Sequence, residues 1–157
     1  FGGNAEDLYE LLLQKDSESE AYTLQQSALY KSKIGKYTDA FNDIDKARNL
    51  RPNNFSIKNA YAVILYESNR KSDNKDRIID AIEILEQCYN NDKRKRHHAS
   101  VYAEIAIFLY ENFKISDYLI QAKMWLYLIS LERRLYGSDY DNLIKLSRII
   151  KDINLPE

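Results

Sequence analysis

The sequence of 157 residues predicts an all-α fold built from antiparallel helical hairpins. Glycine occurs only at positions 2, 3, 35 and 137 and proline only at 52 and 156, so the strongest helix breakers lie near the ends or between periodic segments. The alternation of apolar and polar residues that is typical of strands is missing. Apolar residues instead recur every three or four positions, the period of a helix with one buried face, as at Ile78, Ala81, Ile82, Leu85 and Tyr89.

These signals predict eight helices, at residues 5–15, 18–33, 37–50, 55–69, 76–90, 97–112, 116–135 and 139–152. Ser17 and Glu20 have the spacing of a capping box, so a new helix is expected to start there. Gly35 and Pro52 lie at the two ends of the third helix, where a change of chain direction is expected.

The end signals are clearest between the last two predicted helices. Arg133 and Arg134 favour the negative end of a helix dipole, and Gly137 follows them, so we expect Gly137 to end the seventh helix in a left-handed conformation. Ser138 together with Asp141 is expected to cap the start of the eighth helix.

Composition narrows the class of protein. Cys88 is the only cysteine and His97 and His98 are the only histidines, so we expect a reducing, cytoplasmic location without a disulfide framework. Charged residues make up 30% of the chain but leave a net charge of −1, so no global field attracts it to nucleic acid or to an anionic membrane. No apolar run approaches the roughly 20 residues that span a bilayer. The chain begins with Phe1 rather than Met, and we expect it to be part of a larger protein.

Small residues return at regular distances along the chain. Ala28, Ala62 and Ala106 recur after 34 and then 44 residues. Every second helix of a predicted pair also carries an alanine, a large apolar residue four positions later and a third core residue seven positions later. These sets, 41 residues apart, are Ala40, Ile44 and Ala47; Ala81, Leu85 and Cys88; and Ala122, Leu126 and Ile129. Because positions seven apart lie on one helix face, small side chains there allow a neighbouring helix to come close.

This pattern resembles the tetratricopeptide repeat (TPR), whose second helix has the spacing small, large, small and is followed by proline. Two positions of the first copy depart from the family pattern. Ser27 stands where a large apolar residue is usual and Lys31 where an aromatic residue is usual, and we expect Tyr30 to substitute for the latter. The matching residues of this copy, 21–54, are Leu24, Ala28, Gly35, Tyr37, Ala40, Ile44, Ala47, Leu50 and Pro52.

The resemblance implies a single antiparallel helix-hairpin solenoid of about three repeats with flanking terminal helices. Within the domain 1–157, it implies a partial N-terminal helix at 4–20, repeats at 21–54, 55–91 and 92–136, and a C-terminal capping helix at 137–157. The terminal helices are expected because an array must cover the apolar faces of its end repeats.

In the TPR family the first helices line a concave groove that holds a peptide or a partner domain, and the resemblance implies such a groove here. The matching positions are Tyr22, Gln25, Leu29, Asn59, Val63, Tyr66, Ala103, Ile107 and Tyr110. The alternative is that several of these side chains pack between repeats or are covered by another part of the parent protein. The Lys, Asn and Arg clamp of family members that bind a chaperone's acidic tail is absent, so the expected partner is an apolar or helical peptide.

The C-terminal region raises the question of self-association. Trp125 aligns with Asp43, which is expected to be exposed, so the convex side becomes more apolar toward the C-terminus. We expect Leu143, Leu146 and Ile150 of the last helix to cover this apolar side. The alternative is a self-association surface in this region.

The sharpest charge cluster is a candidate anion-binding site in a predicted turn between repeats, formed by Lys93, Arg94, Lys95 and Arg96. A nucleic-acid-binding adaptor that acts through residues 93–98 is therefore the alternative function. A solvated turn is the simpler interpretation, because a net basic domain, glycine-rich phosphate loops and aromatic–basic strand motifs are missing. Nucleic acid and membranes are not the expected partners.

Catalysis is not expected. Cys88 aligns with Ala47 and is predicted to be buried rather than nucleophilic. His97 and His98 lie about 100° apart around a helix axis, so they do not converge on one metal ion. We therefore predict a non-enzyme without catalytic residues, metal or cofactor. Its expected role is that of a scaffold or regulatory module for protein–protein interaction.

Overall fold

The computed structural model describes residues 5–155, with side chains in the first helix described at Leu8, Leu11 and from Lys15 onward. These residues form seven α-helices joined by turns and contain no strand, which confirms the all-α prediction. The helices are α1 (Ala5–Lys33), α2 (Tyr37–Leu50), α3 (Phe55–Asn69), α4 (Lys75–Asn91), α5 (Arg96–Phe113), α6 (Leu119–Glu132) and α7 (Ser138–Asp152). None of them is both long enough and apolar enough to cross a membrane. The outer limits of the predicted segments 4–20 and 137–157 lie outside the described residues.

The predicted break between the first two helices is wrong, because α1 runs without interruption from Ala5 to Lys33. Ser17 and Glu20 lie inside α1 and do not start a helix. This stretch contains neither glycine nor proline and is rich in Ala, Leu, Glu, Gln and Lys, so its helix propensity outweighs the local capping signal.

The end signals around α7 are confirmed in part. Gly137 has the expected positive φ, +62°, but its ψ of −139° is not that of a left-handed helical residue. It directly precedes α7, because α6 already ends at Glu132. Ser138 is the first residue of α7, and no side chain caps this helix start. The predicted cap by Ser138 and Asp141 is therefore wrong.

The chain divides into two compact units, one ending at Ser68 and the other beginning at Asn69. In the second unit α4 packs against α5, α5 packs against α6 and α7, and α6 packs against α7. In the first unit α1 packs against α2, and residues of α3 join their core. That core consists of Ala21, Ala28, Ala40, Ile44, Ala47, Ile57, Ala60 and Ile64. This helix packing is consistent with a helical repeat.

The aligned core positions are buried as their spacing predicts. All nine residues of the three sets on α2, α4 and α6 are buried, and so are Ala28, Ala62 and Ala106. Cys88, the only cysteine of the sequence, is fully buried among them. The identity of these helix pairs as TPR repeats stays a prediction.

A polar cluster occupies the two positions of the first copy that depart from the TPR pattern. Ser27 Oγ donates to Asp43 Oδ2 at 2.7 Å, and Lys31 Nζ donates to the same oxygen at 2.6 Å. Asp43 is buried, contrary to the expectation, and the bond from Lys31 holds the pKa of its carboxyl below the usual value despite the opposing effect of burial. Tyr30 is exposed and does not substitute for Lys31. Both departures therefore serve one interaction between α1 and α2.

Ala40→Leu is expected to lower the free energy of unfolding by about 1–3 kcal/mol, because the extra carbon atoms have to displace neighbours in a closed core. Urea unfolding followed by far-ultraviolet circular dichroism measures the change. The matched control is Asn42→Leu on the exposed side of α2, which should change the free energy by less than about 0.5 kcal/mol. An unchanged urea midpoint for Ala40→Leu would contradict the close packing of α2.

Candidate functional site

Most of the predicted groove positions have little accessible surface. Of the nine, Tyr22 alone is exposed, and Leu29, Val63 and Tyr110 are half-buried. The five buried positions are Gln25, Asn59, Tyr66, Ala103 and Ile107.

The structure gives some of these side chains a local role. Gln25 Nε2 donates to Ser56 Oγ at 2.9 Å and so ties α1 to α3. Leu29 packs against the core of the first unit. On α5, Lys114 Nζ lies 4.9 Å from the centre of the Tyr110 ring. Partner binding by the nine groove positions stays a prediction.

An exposed apolar surface lies on α6, in the C-terminal region for which the sequence suggests self-association as an alternative. We call it the α6 face and define it by Met124, Tyr127, Leu128 and Leu131, whose accessibility lies between 46% and 66%. Spacings of three and four place these residues on one side of the helix, while the opposite side is buried in the core of the second unit. A helix that is apolar on all sides is normally buried on all sides. The sequence signal is the run 119–131, which contains a single charged residue, Lys123.

Trp125 is not part of the α6 face. Its ring stacks on Tyr89 of α4, with 3.7 Å between ring centres and 8° between planes, and it lies 4.6 Å from the ring of Tyr102 on α5. Burial raises the pKa of the Tyr102 phenol, so this group stays neutral. The aromatic rings that cover Trp125 thus come from α4 and α5.

The residues of the predicted anion-binding site line a cavity of about 760 Å³ in the second unit. All four predicted residues are in its wall: Lys93, Arg94, Lys95 and Arg96. Arg133, which directly follows α6, adds a fifth cation that is not among the predicted residues. Glu132 and Asp139 are the carboxylates of this wall.

Two of the five cations are held by other groups of the protein. Arg96 Nε lies 3.5 Å from Asp139 Oδ2, and Ser100 Oγ donates to the other oxygen of that carboxylate at 2.5 Å. Lys95 Nζ donates to the carbonyl oxygen of Tyr89 and lies 4.7 Å from the centre of the same ring. The contacts of Asp139 place a positive charge and a hydroxyl donor against its carboxylate.

The other three cations are available to a ligand. Lys93, Arg94 and Arg133 are exposed, and none of them forms an ion pair with another side chain that the structure describes. The charge of Arg94 acts on Asp92, whose Oδ2 is already bound by His98. The cavity therefore has an excess of positive charge, which Glu132 offsets only in part.

The two histidines beside this cluster have different environments. His98 is buried, and its Nε2 donates to Asp92 Oδ2 at 2.8 Å, because an ionised carboxylate can only accept. Burial opposes ionisation of Asp92, but the bonds from His98 and from the backbone N–H of Arg94 outweigh it, so the pKa of Asp92 is lowered. His97 lines the cavity and is accessible, yet desolvation by the surrounding protein and then the neighbouring His98 lower its pKa. Among the described residues, no group of three or more His, Cys, Asp or Glu side chains is placed to hold a metal ion.

No family model, curated protein or solved structure matches this chain. The resemblance to the TPR family therefore depends on the residue pattern and on the burial of the aligned positions. The second unit carries two accessible candidate surfaces, the α6 face and the basic cavity.

Proposed function

We propose that the chain is a non-catalytic protein-interaction or regulatory module, a TPR-like solenoid within a larger protein, that binds an amphipathic peptide of a partner. The observation that carries this proposal is the α6 face, which exposes four large side chains on one side of a helix. All four of its side chains are exposed, whereas eight of the nine groove positions are buried or half-buried. The helix packing and the buried alanines support the solenoid.

The size and composition of the α6 face suit a peptide. With about half of each side chain accessible, the four residues expose roughly 400 Å² of mostly apolar surface, a size that is often functional on a monomer. Tyr127 combines a large ring with a hydroxyl group, as aromatic anchors at interfaces do. Met124 has an unbranched side chain that adapts to irregular surfaces. A partner helix with apolar residues three and four positions apart would match this stripe.

Selection of peptides from a phage-displayed library on the purified chain tests the proposal. We expect enrichment of peptides with apolar residues at helical spacing. Leu131→Ser is expected to weaken their binding about tenfold or more, because this side chain is the most exposed of the α6 face. The matched control is Ile34→Ser, another exposed apolar residue, which lies in the first unit and should leave the affinity unchanged. Isothermal titration calorimetry measures both variants after circular dichroism has verified their helix content.

Two results would contradict the proposal. One is a selection without enriched peptides, or peptides that bind Leu131→Ser as tightly as the unaltered chain. The other is a concentration-dependent dimer that Leu131→Ser abolishes in sedimentation velocity, because a second copy of the chain would then occupy the α6 face.

A further inference from the structure

The α6 face and the basic cavity meet at one side chain. Leu128 belongs to the α6 face and also lines the cavity, together with Glu132 and Arg133 further along the chain. A peptide that lies on the α6 face can therefore extend into a cationic cavity without leaving the second unit.

The free cations favour a multiply charged anion. Arg94, Arg133 and Lys93 line the cavity. A planar arginine guanidinium group can donate two hydrogen bonds to two oxygens of one phosphate, and a lysine ammonium group adds a point charge. A phosphorylated side chain carries a charge of about −1.5 to −2 at neutral pH and three acceptor oxygens, whereas a carboxylate carries a single charge. Because Asp139 is already bound by Arg96 and Ser100, it repels such a ligand less than a free carboxylate would.

The aromatic side chains of the cavity favour a peptide over a nucleic acid. Tyr89 has Trp125 stacked on one face, and the Nζ atom of Lys95 lies over its ring. Tyr89 is also buried, at 8% exposure, so its ring is not accessible to a stacking base. Base stacking on aromatic side chains is a main source of affinity for single strands. The His97 imidazole is the remaining ring of the described cavity wall.

We propose that the cavity binds a phosphorylated serine or threonine of the peptide whose apolar residues lie on the α6 face. This inference rests on the proposed function. A cavity of about 760 Å³ has the size of a ligand pocket and accommodates such a side chain with its flanking backbone. Phosphorylation of the partner would then control its capture by this module.

The experiment compares a degenerate phosphoserine peptide library that contains fixed apolar residues with the same library in its unphosphorylated form. We expect the phosphorylated library to bind at least tenfold more tightly to the unaltered chain. The double variant Arg94→Ala with Arg133→Ala should remove this difference, and Glu132→Gln should increase it by lowering repulsion. Arg77→Ala, an exposed arginine of α4 outside the cavity, is the matched control and should keep it.

The outcomes separate this inference from the proposed function. Equal binding of the two libraries, weakened by Leu131→Ser, would overturn the phosphate site and leave the peptide-binding module standing. Phosphate-dependent binding that Leu131→Ser does not change would support phosphate binding by the cavity. It would contradict peptide binding by the α6 face. Tighter binding of single-stranded RNA than of phosphopeptides, lost in the double arginine variant, would assign the cavity to nucleic acid and overturn the inference.

Discussion

Trp125→Ala is expected to lower the free energy of unfolding by about 3–5 kcal/mol, because it removes the ring that joins α4, α5 and α6 and leaves a cavity between them. The lost stacking on Tyr89 adds to the loss of buried apolar surface. Urea unfolding followed by far-ultraviolet circular dichroism measures the effect, since Trp125 is the only tryptophan and the variant has no tryptophan fluorescence.

Tyr127→Ala is the control for this substitution, because it removes an aromatic ring from the exposed side of the same helix. We expect it to change the free energy of unfolding by less than about 0.5 kcal/mol. Equal effects of the two substitutions would show that Trp125 does not hold the second unit together.

His98→Ala is expected to destabilise the chain by about 3 kcal/mol, because it leaves the Asp92 carboxylate without its buried donor and opens a cavity at the start of α5. His97→Ala is the matched control. It removes the neighbouring imidazole, which is accessible, and should cost less than about 0.5 kcal/mol. Guanidinium unfolding at neutral pH measures both, and similar midpoints for the two variants would contradict the role of the buried pair.

The effect of His98→Ala should also depend on pH. The pKa of Asp92 in the folded chain lies below its ordinary value of 3.8, so its stabilising contribution is complete above that value and is lost as the pH falls through the folded-state pKa. The difference in stability between the unaltered chain and His98→Ala should therefore shrink below pH 3.8. A difference that stays constant well below pH 3.8 would be inconsistent with a bond from His98 to an ionised Asp92.

Local spacing predicts the buried side of each helix well. Ala40, Ala81 and Ala122 are identified because a small residue recurs every 41 positions in the second helix of each pair, as close helix packing requires. The same reasoning is less successful at helix ends. The Ser17–Glu20 spacing is a real capping pattern, but a cap contributes only about 1 kcal/mol, and an unbroken run of helix-forming residues continues through it.

The candidate sites are harder to predict because they depend on residues far apart in the sequence. Arg133 joins Lys93 and Arg94 only through the packing of α5 against α6. The exposure of the α6 face likewise depends on which neighbours α6 has, whereas its apolar composition is visible in the sequence. The burial of Asp43 could have been predicted from the sequence. Ser27 and Lys31 are four residues apart, so they share the side of α1 that faces α2 and can both bind its carboxylate.

The fully buried Cys88 can report local unfolding of the second unit. Because the chain has no other thiol, a thiol-specific reagent can modify it only when α4 separates from its neighbours. The rate of alkylation under native conditions thus measures how often this core opens, without a label and without interference from the first unit. A ligand that binds only the closed form would slow the alkylation in proportion to its occupancy.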